Sequence, residues 1–324
     1  MYINWALYYI PKVFASFSYL VNPIFLYLIF TEKSNRYGNY RFLLLFFATF
    51  NVCYSCFTVF VPVDVHTYRY CFYMFINGGY FFESSTLGLN MLIARCGMIS
   101  GSYAILLSHF LYRYLVVRNA FISAHFKLYM LGTVMMFIFF FVYWYGVGIR
   151  FAFADEEVKA YIGENFLHDY GENCTTTNLV SLLYNEASHK IVSRSWFTLC
   201  AVTVISTLSI SLYIVFGTLT MRKLNENSFR MSASTTKLQK ALLKSLIIQT
   251  IIPICVSYAP CVLCWYSPIF NINLGRGLNY LEVIALAAFP FCDPLAIILC
   301  LPVLRNRILH HIRPAKNSVQ IELP

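Results

Sequence analysis

Charge is what this chain has least of: only 12% of its 324 residues are Asp, Glu, Lys or Arg, and only 14 are acidic. A soluble domain carries roughly 25% charged residues, so a hydrophobic share of 59% has no matching water-facing surface and a soluble fold is excluded. The segment from Met1 to Tyr9 has no basic n-region and no small-residue cleavage site. No cleavable signal peptide is therefore expected, and the first apolar run must serve as its own targeting signal. No internal repeat or low-complexity linker interrupts the chain, which argues for one domain. Within the apolar runs there are no paired aspartates, no H-E-x-x-H and no nucleophile beside a base, so an intramembrane enzyme has no site to work with.

What the chain does have is seven apolar stretches, each long enough to cross a bilayer. A hydrocarbon core of ~30 Å needs about 20 residues of helix, because lipid offers the backbone no hydrogen-bond partner and a helix satisfies its own. The spacing places spans at Ala6 to Phe30, Phe42 to Val63, Leu87 to Leu111, Leu128 to Gly148, Trp196 to Leu219, Ala241 to Trp265 and Leu278 to Leu304. The expected fold is an all-α membrane protein, a seven-transmembrane helix bundle over residues 1–310 with a short cytoplasmic tail over 311–324.

The net charge of +10 would suggest nucleic acid in a soluble protein. Here its distribution sets topology instead. With the N-terminus outside, sixteen Lys and Arg fall in the inner segments and seven in the outer ones, with Arg95 inside a span. Positive loops stay in the cytoplasm, so the count predicts an outer N-terminus and an inner C-terminus in a multi-pass protein of the plasma membrane. It also speaks against a ligand-gated channel of the insect odorant-receptor kind, the alternative seven-helix chemosensor, whose N-terminus is cytosolic. The longest loop, Ile149 to Ser195, is polar and of mixed charge, as an outer lid would be.

The eleven cysteines include two C-x-x-C pairs, Cys53 with Cys56 and Cys261 with Cys264, both inside apolar spans. Zinc would need thiolates at hydrocarbon depth, so these read as small buried hydrophobes, and neither metal nor cofactor is expected. On the outer side Cys71 and Cys174 face an oxidising compartment and are candidates to pair, with Cys96 competing for the same partner. Asn173 opens the only N-x-[ST] sequon, a possible glycosylation site. Pro253 and Pro260 in the sixth span each remove a backbone donor, and their spacing puts both kinks on nearly one face, as a hinge would need. Trp265, near the outer end of that span, is expected in an aromatic belt.

The third span carries a polar stripe. At about 100° per residue, Arg95, Ser102, His109 and Arg113 fall on one face, which should look inward. In the seventh span Glu282 and Asp293 share a face as well. A carboxyl at hydrocarbon depth turns toward the bundle interior, where it finds a partner or a cavity. Arg95 and Glu282 are therefore expected to pair across the bundle or to frame a ligand pocket together. Met91, Met98 and Tyr258 would form its apolar walls, with Ser102 further down. On residue types alone Tyr112, Arg113 and Tyr114 read as an interfacial anchor.

Several short motifs, in order along the chain, identify more. They are Asn22-Pro23 in the first span, Gly38-Asn39-Tyr40-Arg41 before the second, and His109-Phe110-Leu111-Tyr112-Arg113-Tyr114 closing the third. Gln249-Thr250-Ile251-Ile252-Pro253 and Tyr258-Ala259-Pro260 mark the sixth, and Pro290-Phe291-Cys292-Asp293-Pro294-Leu295 the seventh. Through these, from about Asn22 to Arg307, the chain resembles nematode serpentine chemoreceptors of the Str superfamily, in particular their Srj family. That resemblance implies a G-protein-coupled-receptor fold, a small-molecule chemical ligand, a heterotrimeric G-protein partner and the ciliary membrane of chemosensory neurons. It also implies that Arg113 is the arginine of a DRY-type motif, flanked by His109, Tyr112 and Tyr114, and that Asp293 with Pro294 is an NPxxY-type switch. Tyr112 stands in the acidic position, so the inactive state must be held without the usual ion pair. Gly88 stands where many rhodopsin-like receptors place a disulfide cysteine. The seventh span has no Lys for a retinal Schiff base, and the third has no Asp or Glu to meet an amine.

Overall fold

The computed structural model describes residues 5–32, 38–118, 125–226, 233–252, 254, 259–273, 275–301 and 304–308. Among the described residues, six helices are long and apolar enough to cross a membrane: α1 (Trp5–Phe30), α2 (Tyr40–Phe60), α3 (Thr86–Arg118), α4 (Phe126–Phe151), α6 (His189–Glu226) and α9 (Arg276–Cys300). The sixth span is divided between α7 (Ala233–Ile252) and α8 (Ala259–Tyr266). Pro253 and Tyr258 lie outside the described residues, as does the tail from 309 onward. Pro260 is buried within α8. The seven-helix bundle is thus the architecture the apolar runs predict, with α1 packed on α2 and α9, and α3 on α4 and α6.

Helix boundaries differ from the apolar runs in an informative way. The third helix continues past the apolar run to Arg118, so Tyr112, Arg113 and Tyr114 are helical. The second ends at Phe60, and Val63 begins a strand.

That strand belongs to a three-stranded antiparallel sheet that caps one end of the bundle. Strands β1 (Val63–Tyr68) and β2 (Cys71–Ile76) form a hairpin, and β3 (Leu179–Leu183) pairs with β2 from the long loop. Successive side chains of a strand point to opposite faces, and β2 shows what each face meets. Phe72, Met74 and Ile76 point into the bundle beside Leu92, Ile93 and Leu199. Cys71, Tyr73 and Phe75 point away, under α5 (Glu156–Tyr170), against Val158, Ile162 and Phe166. The cap is therefore layered, helix on sheet on bundle, and the sheet is buried on both faces.

Inside the bundle, proline shapes the polar contacts. Pro294 has no N–H, so the carbonyl of Pro290, one turn earlier in α9, loses its intrahelical donor. Asn22 Nδ2 supplies one at 3.0 Å and Ser18 Oγ another at 3.3 Å, both from α1. Asn51 of α2 reaches Asn22 Oδ1 at 3.4 Å, and Ser55 Oγ donates to Ser18 Oγ at 2.8 Å. Three helices are joined through one orphaned carbonyl.

Candidate functional site

Two regions of the bundle bring functional side chains together, one beneath the cap and one at the opposite end. Beneath the sheet lies a cavity of about 80 Å³. Phe72 and Met74 form its roof, Ile93 and Cys96 come from α3, Trp144 and Val147 from α4, Thr198 and Val202 from α6, Cys261 and Trp265 from α8, and Glu282 from α9. Apolar side chains make up almost all of the wall, which suits a small apolar guest. Trp265 is half-buried, and its ring meets Trp144 edge-on at 6.3 Å and Phe72 at 6.4 Å.

Glu282 is the one acidic group on that wall. It is fully buried, and neither carboxyl oxygen has a hydrogen-bond partner. The thiols of Cys261 and Cys264 flank it as weak donors, but Cys264 Sγ is turned to Asn279 Oδ1 at 3.4 Å. Arg95 is also buried, with its guanidinium 4.8 Å from the centre of the Tyr54 ring and its Nε and Nη1 without hydrogen-bond partners. No ion pair joins Arg95 to Glu282 among the described residues, and Arg95 stands behind the cavity wall rather than on it. Of the other residues expected there, Met98 packs in the core with Phe50 and Tyr54, and Met91 packs partly buried beside Leu92. Ser102 lines a second, smaller cavity of about 30 Å³ together with Asn51, Thr250 and Asp293.

Cys71, Cys96 and Cys174 are all free thiols. Cys71 and Cys174 share the core between sheet and α5, whereas Cys96 lies beneath the sheet with its thiol 3.6 Å from Met74 Sδ. Gly88 takes part in a different fastening. The side chain of Asn178, just before β3, donates to the carbonyls of Phe81 and Glu83, both at 2.7 Å, and accepts from the Ser85 N–H at 3.0 Å. A Cβ at Gly88 would lie 2.2 Å from Asn178 Nδ2, so the glycine makes room for the side chain that ties the cap to α3. Asn173 is exposed, and its side chain accepts from the Thr175 N–H at 3.0 Å in a single 3-10 turn.

At the far end of α3, Arg113 is buried with its guanidinium 3.6 Å above the ring of Tyr40. Its Nη1 donates to Gln239 Oε1 of α7 at 3.1 Å, while Nε and Nη2 have no partner. Tyr40 stacks on Tyr112 with ring centres 5.3 Å apart, and its hydroxyl meets His109 Nδ1 at 2.8 Å. Tyr114 is half-buried and tilts against Phe216 of α6 at 5.7 Å. Tyr112, in the place of an acid, thus holds the aromatic ring that holds the arginine.

A family model described as serpentine type 7TM GPCR chemoreceptor Srj matches residues 1–308. The chain belongs to the Srj family of serpentine seven-transmembrane chemoreceptors. It is 43% identical over 318 residues to serpentine receptor class J-38 of Caenorhabditis elegans, covering 98% of this chain and 96% of that one. Serpentine receptor class r-10 of the same nematode is 26% identical, covering 93% of this chain and 89% of its own. The G-protein coupled receptor str-33, also from C. elegans, is 23% identical, covering 84% and 79%. The Srj family is one of receptors, and with these helices the chain is a multi-pass membrane protein.

Proposed function

We propose that this Srj-family protein is a chemosensory receptor of the plasma membrane, in the ciliary membrane of sensory neurons, with its N-terminus and sheet cap outside. A small molecule binds in the cavity beneath the cap, and the opposite end activates a heterotrimeric G protein. The observation that carries this reading is the pairing of an apolar cavity beneath the cap at one end of α3 with a buried, underpartnered arginine at the other. Leaving a buried donor unsatisfied costs about 1–3 kcal/mol, so Arg113 stores a preference for a state in which Nε and Nη2 find acceptors. A ligand that favours that state by about 1.4 kcal/mol raises its population ratio tenfold. Asp293 and Pro294 lie between the two ends. Asp293→Asn, which keeps shape and hydrogen bonding, should be tolerated there, while Asp293→Leu should trap one state or block folding.

The test is an odorant screen on cells expressing the full chain, with a calcium or cyclic-nucleotide readout. An active odorant should lose its effect on Val202→Trp, which fills the cavity, and on Arg113→Ala, with both variants at normal surface level. Wild-type responses from Arg113→Ala would remove the coupling role. An N-terminal tag should be reachable on intact cells; a tag reachable only after permeabilisation would favour the channel architecture.

A further inference from the structure

The cavity beneath the cap is apolar except at one point, and that point specifies the chemistry of its guest. Glu282 presents two buried oxygens, flanked by no donor stronger than the thiols of Cys261 and Cys264, to a cavity lined by Phe72, Met74, Trp144 and Trp265. In either protonation state a carboxyl keeps at least one oxygen that only accepts. A buried acceptor left unpaired is unfavourable, so a guest bearing a donor at that place gains what an apolar guest of the same shape cannot. Charge narrows the class further. Cys96, on the cavity wall, stands in the field of both Arg95 and Glu282, so the region already holds one buried basic and one buried acidic group. A cationic or anionic guest would add an uncompensated charge where the dielectric is low.

We propose that the cavity is selective for a neutral, short-chain alcohol, whose alkyl part lies against Trp144 and Trp265 and whose hydroxyl donates to Glu282. This rests on the reading that the cavity is the ligand site, and it adds the ligand class.

Trp144 and Trp265, two of the four tryptophans in the chain, make the cavity observable. The full-length protein in lipid nanodiscs is titrated with bromohexanol, bromohexane, bromohexylamine and bromohexanoic acid, and bromine quenching of tryptophan fluorescence is followed. Bromohexanol should quench saturably, at a concentration about tenfold lower than bromohexane, a gap of about 1.4 kcal/mol. The saturable phase should vanish when Trp144 and Trp265 are both changed to Phe. Glu282→Leu should bring alcohol and alkane to the same concentration, and Glu282→Gln, which keeps an accepting oxygen, should retain most of the gap. Equal quenching by alcohol and alkane in the wild type overturns the proposal without any variant, as does tighter binding of the amine or the acid, absence of saturable quenching, or a gap that survives Glu282→Leu. Its failure is separable from that of the site itself. If the alcohol preference is absent but Val202→Trp still silences an active odorant, only the ligand class falls; if Val202→Trp responds as wild type, the site falls too.

Discussion

Arg113 rests its guanidinium on the ring of Tyr40, 3.6 Å from the ring centre, where an acidic neighbour would have held it by charge. A desolvated cation over an aromatic face is stabilised by about 2 kcal/mol, comparable to a partly buried ion pair and independent of the pH at which a carboxylate would protonate. Tyr40→Leu should therefore free the arginine and raise signalling in the absence of ligand, by up to roughly tenfold if about 1.4 kcal/mol of restraint is lost. Gln239→Ala should act in the same direction through the bond to α7. Tyr40→Phe keeps the ring, loses the hydroxyl that meets His109, and should fall between. Basal output equal to wild type from Tyr40→Leu at normal surface density would reject the lock.

Asn22 and Pro294 lie in different helices and are linked through the carbonyl of Pro290. Asn22→Leu leaves that carbonyl with Ser18 alone and should lower stability by about 1–3 kcal/mol. Pro294→Ala restores an N–H to α9 and gives the same carbonyl an intrahelical donor. The double variant should then be more stable than the sum of the single effects predicts, read as the melting temperature of the purified protein. Strict additivity would mean that the two residues act separately.

Asn178 makes three hydrogen bonds to the segment leading into α3, over a glycine that leaves it room. Asn178→Ala should destabilise the cap by on the order of 3 kcal/mol, at about 1 kcal/mol per bond. Gly88→Ala should displace the same side chain and cost a similar amount. Because both remove the same contacts, the double variant should cost little more than either alone. Hydrogen exchange in β2 and β3 is the measurement, since loosening should appear there and spare the centre of α3. Additive losses would disprove a shared fastening.

The seven spans were legible because water-soluble folds seldom bury an uninterrupted apolar run of helix-spanning length, whereas residue types alone made Arg113 with its flanking tyrosines an interfacial anchor, and only the resemblance singled the arginine out. The sheet was not legible. Alternation marks a strand only when one face meets water, and all six residues from Cys71 to Ile76 are buried between α5 and the bundle. The unseen sheet also hid Phe72 and Met74, which form the roof of the cavity, while Glu282 could be found because a carboxyl in an apolar run stands out by itself. Tyr40 was present in the motif Gly38-Asn39-Tyr40-Arg41, but its contact with Arg113 crosses 73 positions, the difference of the two residue numbers. No local pattern encodes a contact of that length.

The cap contains two buried titratable groups on one strand, and their effects on stability have opposite signs. Burial raises the Asp64 carboxyl from 3.8 to about 6, against the opposing pull of the Val65 N–H and of Arg276. Burial lowers His66 from 6.5 to about 4, with Asp169 opposing and Arg276 adding to the shift. Around them stand the Tyr170 hydroxyl, 2.9 Å from His66 Nδ1, Asp169 Oδ2, 3.5 Å from His66 Nε2, and Arg276, 3.3 Å from that same oxygen. His168 bonds the other oxygen of Asp169 at 2.9 Å, and Asn77 Nδ2 reaches Asp64 Oδ2 at 3.4 Å. The folded state binds Asp64's proton more tightly than the unfolded chain does, so this group's contribution is lost as pH rises from 3.8 toward 6. For His66 the folded state binds the proton less tightly, so stability is lost as pH falls from 6.5 toward 4. Each effect is on the order of 3 kcal/mol across its window, and in the wild type they largely offset one another. Asp64→Asn should expose the histidine's slope, with protection of the β1–β2 hairpin rising as pH goes from about 4 to 6.5. His66→Gln should expose the carboxyl's slope, with protection falling as pH rises to about 6. Pulsed proteolysis or hydrogen exchange of the hairpin across this range separates them, and parallel pH profiles in the two variants would show that neither group titrates with the cap.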